Sequence, residues 1–284
     1  MSDGPRRSAA RGVGLRLRGL LPGTSSGYLG SSFFELLQQE FPQGSAAAAA
    51  VAPAGAAPLA VPHGTTVLAL RCAGAVVVAG DRLATEGYRV ASRDVQKVYA
   101  TDDHSLIAIA GAAGPCIEMA KLLRIELEHY EKIEGEALEL EGKANKLSQM
   151  IRANLPAAMQ GLVVVPIFAG FDRRRRMGRL WKYDVTGGRY EETEYEATGS
   201  GGLFARESLK KSYRPDASRE DAVRAAIEAL TDAADEDRGT GGVDTLRGIY
   251  PTVNVCSDAG IEIVAPERVA QIHRELIERR RSRA

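Results

Sequence analysis

The chain has 284 residues, and its 37 Lys and Arg residues are balanced by 37 Asp and Glu residues. This balance argues against the strongly basic surface that binds nucleic acid or an anionic membrane. Hydrophobic residues make up 44% of the sequence, which is enough to build a substantial core.

The N-terminal segment, from Met1 to Gly64, differs in composition from the rest of the chain. It contains an Arg- and Gly-rich start, a Gly and Ser stretch, and a tract at 45–60 that is dominated by Ala and Pro. Such a composition cannot build a packed core. We therefore predict a largely disordered leader over residues 1–64 and one folded domain over residues 65–284. Within the leader, only residues 31–41 carry apolar side chains at helical spacing, and this short helix could dock on the folded domain.

The leader has neither the pattern of a secretory signal nor that of a membrane anchor. Arg6, Arg7 and Arg11 are not followed by an uninterrupted apolar segment, and Pro53 and Pro58 interrupt the alanine tract. No stretch of the chain approaches the roughly 18 continuous apolar residues that a membrane helix requires. We expect a cytoplasmic protein.

From Thr65 onward, short apolar runs separated by turn residues predict an antiparallel sheet. The first strands are predicted at 66–70, 75–79, 88–92 and 105–110. Two helices should follow, because apolar residues recur on one face of each of the next two segments. The inward residues are Met119, Leu123, Leu127 and Tyr130 in the first helix, and Leu147, Met150, Ile151 and Leu155 in the second.

Strands return after these helices, and they are predicted at 162–168, 178–184 and 191–197. A helix at 203–211 comes next, and another begins at Ser218, which forms a capping box with Asp221. A last hairpin at 252–264 precedes a charged helix opened by Pro266. This order of strands and paired helices predicts an α+β fold with two sheets stacked between two helical layers.

The cysteines and histidines give no support for a metal site. Cys72, Cys116 and Cys256 are odd in number, far apart and set in apolar surroundings, which favours buried free thiols in a reducing compartment. The four histidines form no pair at metal-ligand spacing. We expect neither a metal nor another cofactor.

The sequence Gly64-Thr65-Thr66 lies where the leader meets the folded domain. Cleavage between Gly64 and Thr65 would expose a threonine that has both a hydroxyl and a free α-amine. An α-amine titrates near pH 7.7–8.0, so it can take the hydroxyl proton and activate a nucleophile at neutral pH. The alternative is that these residues merely begin a strand.

Two charged residues stand near this point of the sequence. Asp81 ends an apolar run, and Lys97 follows between two short β-type runs. A lysine buried beside an aspartate can tune the pKa of a neighbouring amine or hydroxyl. An arbitrary Asp and Lys would more often lie on the surface.

The ordered set of motifs resembles the proteasome β subunits, and most closely those of the actinobacterial kind. The resemblance spans residues 65 to roughly 264. The motifs are Thr65-Thr66-Val67, Gly80-Asp81-Arg82, Lys97, Ala110-Gly111, Gly199-Ser200-Gly201-Gly202 and Asp237-x-x-Thr240-Gly241-Gly242. The long leader and the sequence from Arg247 to Pro251 add to it.

The resemblance implies a threonine endopeptidase with an N-terminal nucleophile hydrolase fold of four αββα layers. Thr65 becomes the nucleophile, its amine becomes the base after autocatalytic processing, and Lys97 tunes both. Asp81 holds Lys97 ionised. Ser200, Asp237 and Thr240 would form the hydrogen-bonded group around the amine.

The resemblance also implies a substrate site. The N–H of Gly111 corresponds to the oxyanion donor, and Thr85, Gly111 and Ala113 correspond to positions that pair with an extended peptide. A pocket for the substrate side chain is implied by Ala84, Val95, Ile109 and Ala113. Because these four residues are apolar, we expect cleavage after hydrophobic residues.

The assembly implied by the resemblance consists of stacked homo-heptameric β rings capped by rings of a separate α subunit. An AAA ATPase would unfold and feed protein substrates, including those tagged by a small ubiquitin-like modifier.

Thr66 is a competing nucleophile, but only Thr65 stands at the family's separations from Asp81 and Lys97, and counting from Thr66 breaks both. Two other functions remain open. One is a different N-terminal nucleophile hydrolase, such as the two-ring bacterial protease that also begins Thr-Thr but has a shorter body. The other is a non-catalytic ring subunit, against which the intact Thr65, Asp81 and Lys97 argue.

Overall fold

The computed structural model describes residues 64–86 and 89–282. The leader up to residue 63, including the helix predicted at 31–41, lies outside the described residues.

Two five-stranded antiparallel sheets form the centre of the domain. The first has the spatial order β10-β1-β2-β11-β12, made by β1 (Thr66–Cys72), β2 (Ala75–Gly80), β10 (Tyr195–Gly199), β11 (Thr252–Ser257) and β12 (Gly260–Ile263). The second runs in chain order through β5 (Val98–Asp102), β6 (Ser105–Gly111), β7 (Val164–Asp172), β8 (Met177–Tyr183) and β9 (Arg189–Glu192). A separate two-stranded ribbon joins β3 (Ala84–Glu86) and β4 (Arg89–Ser92).

Helices cover the outer face of each sheet. The second sheet is covered by α1 (Ala113–Glu134) and α2 (Leu140–Ala153), which the short helix α3 (Leu155–Ala158) follows. The first sheet is covered by α4 (Gly202–Ser212), α5 (Arg219–Glu236) and α6 (Pro266–Arg281). The predicted cap of α5 is present, since Ser218 Oγ accepts the amide N–H of Asp221 at 3.1 Å. The same hydroxyl donates to the Asp221 carboxylate at 2.7 Å.

Three apolar clusters hold the layers together, and β1 contributes to two of them. Val67 and Ala69 pack between the two sheets, whereas Leu68 and Leu70 pack against the helices over the first sheet. Alternate residues of a strand point to opposite faces, so a strand covered on both faces needs a continuous apolar run. The predicted four-layer αββα sandwich is confirmed.

The element predictions were wrong at several points. The single strand predicted at 191–197 is two strands, β9 and β10, which belong to different sheets. Strands β3 and β5 were not predicted. Tyr130 lies 37% exposed instead of packing inward, and Leu155 begins α3 instead of continuing α2.

Candidate active site

Strand register brings the predicted residues to one edge of the sheets. Thr66 at the start of β1 pairs with Gly199 of β10, and Val67 pairs with Gly80 of β2. In an antiparallel sheet, the start of one strand lies beside the ends of its neighbours. Asp81 directly follows β2 and Ser200 directly follows β10, so both lie next to Thr65.

The second sheet brings its residues to the same place. Lys97 directly precedes β5, whose neighbour β6 ends at Gly111, and the backbone oxygen of Lys97 accepts the N–H of Ile109 at 3.0 Å. Lys97 and Gly111 line one small pocket together with Gly64 and Thr65. The pocket therefore lies where the two sheets face each other.

Asp81 is a buried carboxylate that accepts four hydrogen bonds. Its Oδ1 accepts from Thr66 N at 2.7 Å and from Lys97 Nζ at 2.6 Å. Its Oδ2 accepts from Leu83 N at 2.9 Å and from Gly241 N at 2.8 Å. A buried carboxylate is tolerated only when it is paired and hydrogen-bonded, and Asp81 meets both conditions.

The amine of Lys97 has three acceptors around it. Nζ lies 2.6 Å from Asp81 Oδ1, 2.5 Å from the Leu83 carbonyl oxygen and 3.4 Å from the Gly64 carbonyl oxygen. Three acceptors require three protons, which is the ammonium form. Burial lowers the pKa of Lys97, while the charge and the hydrogen bond of Asp81 oppose this shift. Lys97 is thus a charged group aimed at the carbonyl of Gly64.

Ser200, Asp237 and Thr240 form a second hydrogen-bonded group. Ser200 Oγ and Thr240 Oγ1 both donate to Asp237 Oδ2, at 2.5 Å and 2.6 Å, and the amide of Gly239 donates to Oδ1 at 3.0 Å. Burial alone raises the pKa of Asp237, but these hydrogen bonds and the charge of Lys97 outweigh it and hold the pKa below its usual value. Asp237 is therefore an anion at neutral pH.

Thr65 connects these two groups. Its backbone N–H donates to Ser200 Oγ at 3.3 Å, and its hydroxyl donates to the carbonyl oxygen of Gly64 at 2.6 Å. The amide of Ser200 donates to the Thr65 carbonyl oxygen at 2.8 Å. The residue is only 6% exposed, so the site is small and largely closed while Gly64 is still attached.

Gly64 fits its position because it has no side chain. A Cβ built there would lie 2.4 Å from Thr85 Oγ1 and 2.7 Å from the carbonyl oxygen of Gly239. The second contact is with backbone, which cannot rotate away as a side chain can. This places the predicted residue Thr85 directly beside the Gly64-Thr65 bond.

The predicted pocket residues lie together. A cavity of about 30 Å³ is lined by Gly64, Thr65, Gly111 and the four apolar residues Ala84, Val95, Ile109 and Ala113. Gly111 has a φ of 127°, and a Cβ there would lie 2.1 Å from the Val163 carbonyl oxygen. Only glycine can adopt this backbone conformation against that neighbour.

Several residues of the site were not predicted. The pocket also contains Gln96, Tyr99, Cys116 and Ile117. Cys116 and Ile117 lie one turn beyond Ala113 on α1, so helical spacing alone could have identified them. Burial raises the pKa of the Cys116 thiol to about 12, although the charge of Lys97 acts in the opposite direction. The thiol is thus protonated at neutral pH, as are the buried Cys72 and Cys256.

No group of three or more His, Cys, Asp or Glu side chains within residues 64–86 and 89–282 is arranged to hold a metal ion. In the same part of the chain, no helix is both long enough and apolar enough to span a membrane.

Comparison with known proteins agrees with this geometry. The family profile described as "Proteasome subunit" matches residues 61–247. The "Proteasome subunit beta" of Streptomyces griseus is 50% identical over 250 residues, covering 88% of this chain and 89% of that protein. The "Proteasome subunit beta" of Acidimicrobium ferrooxidans is 56% identical over 216 residues, covering 76% and 79%. That of Acidothermus cellulolyticus is 53% identical over 229 residues, covering 79% of each chain. The chain belongs to the proteasome subunit family, within its β-subunit branch.

Proposed function

We propose that the chain is the precursor of a threonine endopeptidase subunit of a proteasome core particle, activated by cleavage between Gly64 and Thr65. One observation carries the proposal. The hydroxyl of Thr65 and the ammonium group of Lys97 both donate to the carbonyl oxygen of Gly64, at 2.6 Å and 3.4 Å. The proposed nucleophile and a buried positive charge thus converge on the bond that must be cut.

Processing begins with an amide nitrogen at Thr65, which has no basicity. The Thr65 hydroxyl attacks the Gly64 carbonyl carbon while a water carries its proton, and the charge that develops on the carbonyl oxygen faces Lys97. The C–N bond then breaks as the water passes the proton to the Thr65 nitrogen, which leaves an ester between Gly64 and the Thr65 oxygen. Water hydrolyses this ester, which releases the leader with a Gly64 carboxylate and leaves a free α-amine on Thr65.

The mature site uses the new amine as its base. Ser200 Oγ is 3.3 Å from the Thr65 nitrogen and donates to Asp237, so its lone pairs face the amine. The amine takes the Thr65 hydroxyl proton as Oγ attacks a peptide carbonyl, and the Gly111 N–H stabilises the oxyanion. The amine then protonates the leaving peptide, and water hydrolyses the acyl-enzyme. Departure of the Gly64 carbonyl frees one N–H of Lys97 for this chemistry.

We also propose that substrate binds in the apolar pocket beside Thr65. Ala84, Val95, Ile109 and Ala113 line the pocket beside Thr65, and an apolar lining favours apolar side chains. Thr85 adjoins Gly64, which occupies the position that a substrate residue would take before the bond that is cleaved. An extended peptide running past Thr85 and Gly111 would follow the path of the leader.

Membership of the β-subunit branch supports the assembly that we propose. We assign residues 1–64 to a removable propeptide and 65–284 to the catalytic domain, in a core particle that also contains α-subunit rings. We further propose that the chain forms homo-heptameric β rings and is located in the cytoplasm. An AAA ATPase would deliver the substrates, which include tagged proteins. Enclosure of Thr65 in a chamber would restrict this peptidase to unfolded chains.

The deciding experiment uses the assembled protein with Thr65→Ala and Thr65→Ser. We expect the wild-type chain to begin at residue 65 and to be labelled there by a β-lactone. Thr65→Ala should keep its leader, hydrolyse no peptide and take no label, whereas Thr65→Ser should retain processing at a reduced rate. A Thr65→Ala chain that still begins at residue 65 would assign the cutting to another protease. Failure of the wild type to react would instead favour a non-catalytic ring subunit.

A further inference from the structure

We propose that Thr66 is a positioning residue for Thr65, acting through its hydroxyl on the two side chains that bind Asp237. The inference rests on the proposed role of Thr65 as nucleophile.

The Thr66 side chain is fully buried, and its hydroxyl has two partners. Thr66 Oγ1 accepts the amide N–H of Gly201 at 3.0 Å and lies 2.6 Å from Thr240 Oγ1. A nucleophile must be reachable by substrate, so a hydroxyl held in this way is unsuited to that role. It is suited to holding its neighbours in place.

The proton positions along this network are determined by its two ends. The Gly201 amide can only donate, and the carboxylate of Asp237 can only accept. Thr240 donates to Asp237, so its own lone pair must accept from Thr66. The order is therefore Gly201 N–H to Thr66, Thr66 to Thr240, and Thr240 to Asp237.

Thr66 reaches Asp237 by a second route through the backbone. Gly201 is the residue after Ser200, and Ser200 Oγ donates to the same Asp237 oxygen as Thr240 does. The amide N–H of Ser200 donates to the carbonyl oxygen of Thr65, and the amide N–H of Gly201 donates to Thr66 Oγ1. The space is tight, because a Cβ at Gly201 would lie 2.4 Å from Thr240 Oγ1 and 2.5 Å from Thr66 Oγ1. The Thr66 hydroxyl thus fixes both of the side chains that donate to Asp237.

This arrangement matters for the α-amine of processed Thr65. The charged groups around that amine are Asp237, Lys97 and Asp81, of which Asp237 is reached through Ser200. Removal of the Thr66 hydroxyl leaves the Gly201 N–H without its buried partner and allows the Ser200 turn to shift. The amine then interacts less strongly with the Asp237 carboxylate, so the pKa of the amine should fall. The geometry for proton transfer from the Thr65 hydroxyl should also be poorer.

The test compares Thr66→Val with Thr66→Ser in the assembled core particle. We expect Thr66→Val to lower kcat for a fluorogenic peptide about tenfold with KM within about twofold, and to shift the acid limb of kcat/KM to lower pH. Thr66→Ser keeps the hydroxyl and should recover most of kcat and the wild-type limb. If Thr66→Val does not assemble, Thr66→Cys replaces it, because a thiol is a weak donor of similar volume.

Thr101→Val is the matched control. Thr101 is also buried in a strand, and its hydroxyl lies 2.7 Å from the hydroxyl of Ser105. Thr101→Val should change neither kcat nor the acid limb of the kcat/KM profile. A Thr66→Val enzyme with wild-type kcat and pH profile would overturn the inference. A Thr66→Ser enzyme as impaired as Thr66→Val would also overturn it, because the hydroxyl would then not be the cause. Either result leaves the role of Thr65 intact, which only the β-lactone label and Thr65→Ala can refute.

Discussion

The Nζ atom of Lys97 lies 3.4 Å from the carbonyl oxygen of Gly64, and this is the longest of its three hydrogen bonds. The two short bonds, to Asp81 and Leu83, hold the ammonium group in place whether or not Gly64 is attached. The long bond is the only one that cleavage of the Gly64-Thr65 bond removes. In the proposed function, the same positive charge therefore acts first on the precursor and later on the mature enzyme.

Lys97→Ala should slow both processing and peptide hydrolysis by at least about 100-fold, since it removes a fixed charge from the site of charge development. The domain should still fold, because Asp81 keeps three amide donors. Gel mobility would report processing, and a fluorogenic peptide would report turnover. Lys121→Ala, at an exposed lysine of α1, is the control and should behave as wild type. Retained turnover in Lys97→Ala would remove this lysine from the mechanism.

Gly64→Ala should block or strongly slow removal of the leader, because its methyl group would overlap Thr85 Oγ1 and the Gly239 backbone. We expect at least about a tenfold slower appearance of the mature chain, measured by mass spectrometry, as small misplacements of reacting groups are costly. Gly114→Ala is the control, since a Cβ at Gly114 meets nothing within 4 Å in the described part of the chain. Normal processing of Gly64→Ala would mean that the close fit at Gly64 is unimportant.

Asp237→Asn should change how the stability of the domain depends on pH. The pKa of Asp237 is lowered in the folded state, so its contribution is fully present above the unfolded value of about 3.9. That contribution is lost as the pH falls through the lowered folded value. Below about pH 4, the melting temperature of the wild type should therefore fall more steeply than that of Asp237→Asn. Asp216→Asn, at an exposed aspartate, should keep the wild-type slope, and equal slopes for all three proteins would contradict the prediction.

Ala113→Leu should close the apolar pocket beside Thr65. The three added carbon atoms would occupy space beside Thr65 that a substrate side chain needs, so kcat/KM for peptides with leucine or tyrosine before the cleaved bond should fall about tenfold. Peptides with alanine at that position should be less affected. Ala153→Leu, at the exposed end of α2, provides the control for added bulk. In the wild type, a preference for glutamate or lysine over leucine would contradict the apolar assignment of the pocket.

Much of the fold could be predicted because both faces of β1 and β2 are buried, which produces unbroken apolar runs. Strand β5 was missed because its residues Tyr99, Ala100 and Asp102 are partly or fully exposed, so no such run marks it. The residues from Arg189 to Glu196 are almost all polar and contain neither Gly nor Pro. Nothing in them marks the point, at Thr193 and Glu194, where the chain crosses from one sheet to the other.

The candidate site was predicted from the chemistry of its side chains together with the resemblance of the ordered motifs to the proteasome β subunits. Thr65, Asp81 and Lys97 were identified in this way, and hydrogen bonds connect all three through Gly64. The Leu83 carbonyl that accepts from Lys97 and the Gly241 amide that donates to Asp81 are backbone groups, so the residue type at these positions does not reveal them. Thr66 was considered only as a rival nucleophile, since its role depends on a register that brings Gly201 and Thr240 to its hydroxyl.

The pairing of β1 along both of its edges has a consequence for the chain end that cleavage would create. New termini usually fray, yet residue 66 is already paired with β10 and residue 67 with both β10 and β2. In hydrogen–deuterium exchange, the amides of 67–71 should be among the slowest of the domain, before and after the leader is removed. The free amine at residue 65 would then be held by a strand that opens only when the whole domain unfolds.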